Sequence, residues 1–196
     1  MKRVAVFCSG GGTDFQSIID ANEKEPFCTL ALLVASKDGI GAIDRAKKHG
    51  IKSMVFAKDE NATYEELFES INEALVINGI DFIVLAGYLS ILDEKFVSKW
   101  KGKIINVHPS LIPSFCGKGF YGLKVHEAAI KRGVKISGAT VHFVDEGADT
   151  GKIIMQRAVE VSEGETAESL QKKVLEIEHK ILPEAVKGLV EGKYKL

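Results

Sequence analysis

The sequence predicts an α/β protein built on a doubly wound, mostly parallel sheet flanked by helices, with an antiparallel strand pair in its C-terminal half. Through residue 107, short apolar runs alternate with stretches of helical periodicity, which is the pattern of strand-helix-strand units. Beyond that point two strand-like segments follow one another across a single loop. With 196 residues, 45% hydrophobic and 27% charged, the chain can bury one substantial core and is short for two, so residues 1–196 are expected to form a single domain.

The first strand is expected at Val4–Cys8, followed by a helix over Phe15–Lys24. Strands at Leu30–Ala35, Ser53–Phe56, Phe82–Ala86 and Ile104–Val107 are four to six residues long and apolar on both faces, as strands covered by helices on both sides should be. Helices at Ile40–His49, Tyr64–Asn78 and Asp93–Lys101 separate them. The clearest of these sets Tyr64, Leu67, Phe68, Ile71 and Leu75 on one face. Val125–Arg132 reads as a further helix, Ser137–Val144 and Ile153–Val161 as the strand pair, and Glu168–Val190 as a long closing helix. Its buried stripe is Leu170, Val174, Ile177, Ile181, Ala185 and Leu189, which leaves Glu178 as a neighbour of the stripe. Pro109–Leu123, with Pro113, Gly117, Gly119 and Gly122, is the one long stretch without a periodic pattern and reads as a substrate-covering loop.

The balance of 26 Lys and Arg against 27 Asp and Glu gives a net charge of −1, with the cations dispersed. That argues against nucleic-acid and membrane-surface partners and for small-molecule substrates, acted on by a monomer or homodimer. Cys8, Cys28 and Cys116 are odd in number and lack metal-ligand spacing, as expected of unpaired thiols in a reducing compartment. The first apolar run stops at Gly10-Gly11-Gly12, too soon for a signal peptide or membrane span, so the expected location is cytoplasmic.

Asn106-Val107-His108-Pro109 carries the chemistry. Residues two apart on a strand face the same side, so Asn106 can offer a neutral donor and His108 a group titrating near neutral pH to one ligand. Taken in isolation, N-x-H-P is equally a strand-end loop whose His caps backbone groups. Ser9-Gly10-Gly11-Gly12-Thr13-Asp14 lies between the first strand and first helix, where free N–H groups and the helix dipole favour a phosphate. It is also a tight turn with Thr13 or Asp14 as helix cap. Phe15 stands where a dinucleotide fingerprint needs its third glycine. His142–Gly151 places Asp145, Glu146 and Asp149 in a glycine-flanked loop. A carboxylate there can orient an imidazole and stabilise its charged form, although such acids are also turn formers or divalent-metal ligands. His49, His126, His142 and His179 read as structural, and no metal is required by any spacing.

In this order, Ser9–Gln16, Leu85–Leu92, Asn106–Pro113 and His142–Gly151 resemble the folate-dependent formyltransferases of purine synthesis, and the resemblance covers essentially the whole chain. It implies a formyltransferase-like fold whose N-terminal half binds phosphate and whose C-terminal half binds folate. It also implies 10-formyltetrahydrofolate as cosubstrate and phosphoribosylglycinamide as amine acceptor. The implied catalytic trio is Asn106, His108 and Asp149, with Asp149 keeping His108 protonated and oriented. Gly12, Thr13, Asp14 and Glu178 match the family's acceptor site. Folate contacts are implied at Leu89, Ser90, Ile91, Leu92, Asn106, Asp145, Glu146, Gly147 and Ala148.

Three departures accompany the match. Asp14 stands where many members have Asn, and a carboxylate beside a phosphate is tolerated best if it turns away to cap the helix. Ser90 stands where many have Arg, and an Arg common before the third helix is replaced near Asn61. Lys118 and Lys124 are the expected substitutes toward the anionic folate tail.

Among alternatives, a tRNA-directed formyltransferase needs basic surface and a further domain. A formyltetrahydrofolate hydrolase keeps the trio but has no need of the glycine-rich turn and usually carries an N-terminal regulatory domain, whereas this sequence opens directly on its first strand. A nicotinamide oxidoreductase is disfavoured by Ala35-Ser36-Lys37, where a ribose-binding acid would end the second strand. A non-catalytic folate- or nucleotide-binding module would have no use for the trio together.

Overall fold

The computed structural model describes residues 1–58 and 63–196. The elements run β1 (Arg3–Cys8), α1 (Thr13–Lys24), β2 (Thr29–Ala35), α2 (Gly41–Lys48), β3 (Ser53–Val55), α3 (Tyr64–Ile77), β4 (Phe82–Leu85) and α4 (Glu94–Lys99). They continue with β5 (Ile104–His108), α5 (Leu123–Arg132), β6 (Ile136–Phe143), β7 (Ile153–Glu160) and α6 (Ala167–Val190). One seven-stranded sheet has the order β3-β2-β1-β4-β5-β6-β7. The first five strands pair in parallel, while β6 is antiparallel to both β5 and β7.

Alternation along the strands divides the core into two layers. Val4, Val6, Leu33, Ile105 and Val107 face a cluster with Phe15, Ile18, Leu170, Val174, Ile181 and Leu182 from α1 and α6. Ala5, Phe7, Leu32, Val34 and Ile104 face Leu67, Phe68, Ile71 and Leu75 of α3, with Phe96 and Trp100. Helix α3 starts on a complete capping box, Thr63 accepting from the Glu66 N–H while the Glu66 carboxylate accepts from the Thr63 N–H.

Strand order reverses at β1 and β4, and ligands of open α/β sheets bind in the crevice beyond the carboxyl ends of such strands. Here three turns are tied together at that point. The Ser9 hydroxyl accepts from the Leu89 N–H at 3.0 Å and from the Ser36 hydroxyl at 2.8 Å, and the Ser9 N–H donates to the Gly87 carbonyl.

Candidate active site

Asn106 and His108 end β5 on one face, as the i, i+2 spacing requires. The antiparallel register then sets His142 of β6 directly opposite Asn106, with Asn106 Nδ2 3.2 Å from His142 Nε2. The β6–β7 connection brings Asp149 back over the same ground. Its Oδ2 lies 3.5 Å from His108 Nδ1 and its Oδ1 3.6 Å from His142 Nε2. Asp149 holds a left-handed φ of 59°, uncommon outside glycine, and its Oδ2 accepts from the Gly117 N–H at 2.8 Å. Gly151, two residues on, passes so close to the Phe143 carbonyl that a Cβ would sit 1.8 Å from it, which explains why this turn needs glycine after Asp149.

His108 is 4% exposed, and its Nε2 donates to the Phe115 carbonyl at 2.9 Å. Both ring nitrogens thus face acceptors, an arrangement suited to imidazolium. Burial acts the other way and prevails: it lowers the His108 pKa below its ordinary value against the raising effects of Asp149 and Phe115. Asp149 thus favours the charged ring, as expected of it, but against a larger opposing effect of burial. Burial pushes the Asp149 carboxyl up, but His142, His108 and the Gly117 N–H together hold it below the usual carboxylate range.

His142, expected to be structural, joins the trio instead. Its Nδ1 donates to the Phe143 carbonyl at 2.8 Å, so that in a neutral ring Nε2 accepts from Asn106 Nδ2. Sequence spacing carried no sign of this, because the contact arises from the β5–β6 register.

The long loop is pinned in its first half. Thr140 Oγ1 accepts from the Ile112 N–H and donates to the Ser110 carbonyl, and Gln156 Nε2 donates to the Ile112 carbonyl. The Ile112–Pro113 peptide is cis.

At the glycine-rich turn, Gly12 rather than Thr13 or Asp14 is the helix cap, with φ 70° and no side-chain cap bond. A Cβ on Gly12 would lie 2.7 Å from Ala42 Cβ, so the turn seats directly on α2. Arg45 Nε donates to the Gly11 carbonyl at 2.8 Å and fixes that seat. Thr13 is exposed at the first helical residue. Asp14 does not turn outward to cap. It points inward toward α6, its Oδ1 3.6 Å from His179 Nε2. Glu178 is 7% exposed and lies beside it. The ladder Leu170, Val174, Glu178, Leu182 at four-residue steps was the signal that Glu178 belongs to the buried stripe rather than its margin.

A cleft of about 790 Å³ lies between the Ser9 turn, the Leu89–Leu92 segment and Glu146 of the β6–β7 loop, with Lys37 and Lys95 also in its lining. Of the implied folate residues, Leu89–Leu92 and Glu146 line it. Asn106, Asp145, Gly147 and Ala148 do not, and the Asp145 carboxylate is spent within its own turn on Gly147 and Thr150. The cleft's cations are Lys37 and Lys95, the latter paired with Glu65. Lys118 does not line it, and Lys124 is turned onto Tyr121, 2.8 Å from its hydroxyl. The replacement at Asn61 lies outside the described residues. No group of His, Cys, Asp and Glu side chains among the described residues is arranged to hold a metal ion.

An amide, a buried imidazole and a carboxylate converge at the end of a central strand, an arrangement with the chemistry that acyl-type transfer needs. The chain belongs to the formyl transferase family, whose model matches residues 2–186. It is 38% identical over 97% of its length to phosphoribosylglycinamide formyltransferase of Bacillus subtilis (strain 168), covering 95% of that protein. It is 40% identical over 99% of its length to the chloroplastic phosphoribosylglycinamide formyltransferase of Arabidopsis thaliana, of which it spans 67%. Over 97% of its length it is 37% identical to the trifunctional purine biosynthetic protein adenosine-3 of Gallus gallus, of which it spans 18%. Among solved structures, glycinamide ribonucleotide transformylase 1 from Symbiobacterium toebii superposes with a TM-score of 0.93 at 33% identity, over 100% of this chain and 91% of that one. A formyltetrahydrofolate deformylase from Pseudomonas syringae pv. tomato superposes with a TM-score of 0.89 at 26% identity, over 100% of this chain and 63% of that one.

Proposed function

We propose that this protein transfers the formyl group of 10-formyltetrahydrofolate to the glycine amine of 5-phosphoribosylglycinamide, a step of purine biosynthesis. The observation that carries the reading is the convergence of Asn106, His108 and Asp149 at the end of β5. The acceptor's phosphate meets the N–H groups of Gly12–Asp14, where the helix dipole favours it, and Glu178 reaches the same pocket from α6. Folate lies along Leu89–Leu92 and Glu146, in a cleft whose volume suits a ligand of that size. Residues 1–196 act as one catalytic unit in the cytoplasm, as a monomer or homodimer on small molecules. The dispersed charge supports action on small molecules. No helix among the described residues is long and apolar enough to cross a membrane.

The chemistry follows from the hydrogen bonds already made. The amine attacks the formyl carbon and the carbonyl oxygen becomes an oxyanion. Asn106 Nδ2 is the donor for it, already oriented by His142. A neutral His108 can take the attacking nitrogen's proton only through a bare Nε2, so the Phe115 carbonyl must leave that nitrogen and the ring must carry its proton on Nδ1, toward Asp149. Once protonated, the ring is stabilised by the Asp149 charge. It then delivers the proton to the folate nitrogen as the C–N bond breaks.

The test is formyl transfer with and without phosphoribosylglycinamide, for wild type and His108→Ala. Formylated product that requires the amine and is lost in the variant supports the transferase. Tetrahydrofolate released equally without the amine supports a hydrolase, the reading favoured by the deformylase neighbour, and no turnover returns the chain to a binding module.

A further inference from the structure

Asp14 of α1 and Glu178 of α6 are two largely buried carboxyls at the packing of those helices, where Asp14 lies 3.6 Å from His179, the neighbour of Glu178. The Asp14 side chain is 13% exposed and its Oδ1 is buried without a hydrogen-bond partner. Glu178 is 7% exposed, and no donor among the described residues contributes a hydrogen bond to its carboxyl. Such a pair ionises twice only at a cost, because both side chains are largely withdrawn from water and each charge repels the other.

The surroundings supply no compensating cation within hydrogen-bonding reach. From α6, His179 Nε2 stands 3.6 Å from Asp14 Oδ1, also buried and unpartnered. Its own burial, with Arg45 nearby, lowers its pKa, so it is neutral at pH 7. Arg45, from α2, is committed to the Gly11 carbonyl and to Gln16 Oε1. Asp20 on α1 and Glu176 on α6 add negative charge near His179. Beneath lies the Cys8 thiol of β1, whose pKa burial and Asp14 push up to about 12, so it stays neutral.

We propose that Asp14 and Glu178 hold one proton between them in the ligand-free protein, and that binding of a phosphate-bearing acceptor loads a second. Acceptor affinity is then set by proton uptake as well as by shape. The step rests on the reading that a phosphate sits on the Gly12–Asp14 turn. A dianion there meets an ionised Asp14 at the second residue of the same helix, and the repulsion is relieved when Asp14 takes a proton and becomes a donor. Directions agree with this: burial raises the Asp14 pKa to about 6 and raises that of Glu178 well above the usual carboxylate range.

Two measurements test it. In the ligand-free protein at pH 7.5, infrared spectroscopy should show a protonated-carboxyl C=O band that disappears in Glu178→Gln. A wild-type spectrum without such a band overturns the shared proton, whether or not any acceptor binds. Calorimetry of phosphoribosylglycinamide binding at pH 8, in buffers of different ionisation enthalpy, should give about one more proton taken up by wild type than by Asp14→Asn. Between pH 7 and 9 the ratio of wild-type to Asp14→Asn Kd should rise by up to about tenfold per unit, the acceptor amine's own ionisation cancelling in that ratio. Asp14→Ser should repeat the pattern. Equal uptake in wild type and variants overturns the proposal. Loss of all acceptor binding in wild type overturns the function reading instead, while the infrared band still decides the proton.

Discussion

At His108 burial and charge pull one imidazole in opposite directions, and the outcome sets the pH profile. Because burial wins, the ring should lose its proton below its ordinary value of 6.5, and kcat/KM should rise through a midpoint below that value before levelling toward pH 7. Removing the Asp149 charge in Asp149→Asn takes away a raising influence. The midpoint should move further down while the maximal rate falls, and a pH–rate profile checks both; an upward shift would contradict the raising effect of the Asp149 charge. Asn106→Ala removes the proposed oxyanion donor and should cost about 100- to 1,000-fold in kcat, read in a steady-state assay. For stability, Asp14 and Asp149 have opposite signs. A carboxyl with a raised folded pKa binds its proton better in the fold, so Asp14 costs stability progressively as pH rises from its ordinary 3.8 to about 6. The depressed Asp149 contributes stability that is present above its unfolded value and lost as pH falls through its lower folded value. Thermal melts should therefore show Asp14→Asn gaining on wild type between pH 4 and pH 7, by at most about 1.4 kcal/mol for each unit.

At the scale of elements, function depends on how strand ends are tied to one another. Ser9 joins the glycine-rich turn to the segment after β2 and to Leu89, so it is a positioning residue for the cleft without facing the transferred group. Ser9→Ala should raise the folate KM several-fold and leave kcat at saturation within about twofold, a split that global destabilisation would not produce. Lys37, which lines the cleft where Ser90 supplies no charge, should matter more to the folate KM than Lys118 or Lys124. The three alanine variants, measured side by side, decide it. Elements of this kind were readable in the sequence because apolar runs and helical stripes have fixed periods, and Asn106 and His108 were readable because a strand's period is two. His142 was not, since its partner lies on another strand and only the register sets them opposite. The inward turn of Asp14 was hidden for a related reason: a first-turn acid reads as a cap, and its burial depends on how α6 crosses α1.

For the whole molecule, the two core layers divide the work of holding the site. Helix α3 and its aromatic cluster cover one face of the sheet, whereas α6 packs against α1, α5, β6 and β7 on the other and also brings Glu178 and His179 to Asp14. On the proposed function, stability and acceptor binding therefore share one helix, while the proposed folate contacts along Leu89–Leu92 do not depend on it directly. Leu182 is fully buried one turn beyond Glu178. Leu182→Ala should leave a cavity costing about 2–5 kcal/mol, seen as a lower Tm. Because the surrounding helix relaxes toward that cavity, the same variant should raise the acceptor KM well beyond any change in the folate KM. A mirror substitution in the other layer, Leu75→Ala on α3, should cost comparable stability with the acceptor KM unchanged. If both variants shifted the acceptor KM equally at a temperature where each remains folded, the acceptor pocket would owe its geometry to the sheet as a whole rather than to the seat of α6 on α1.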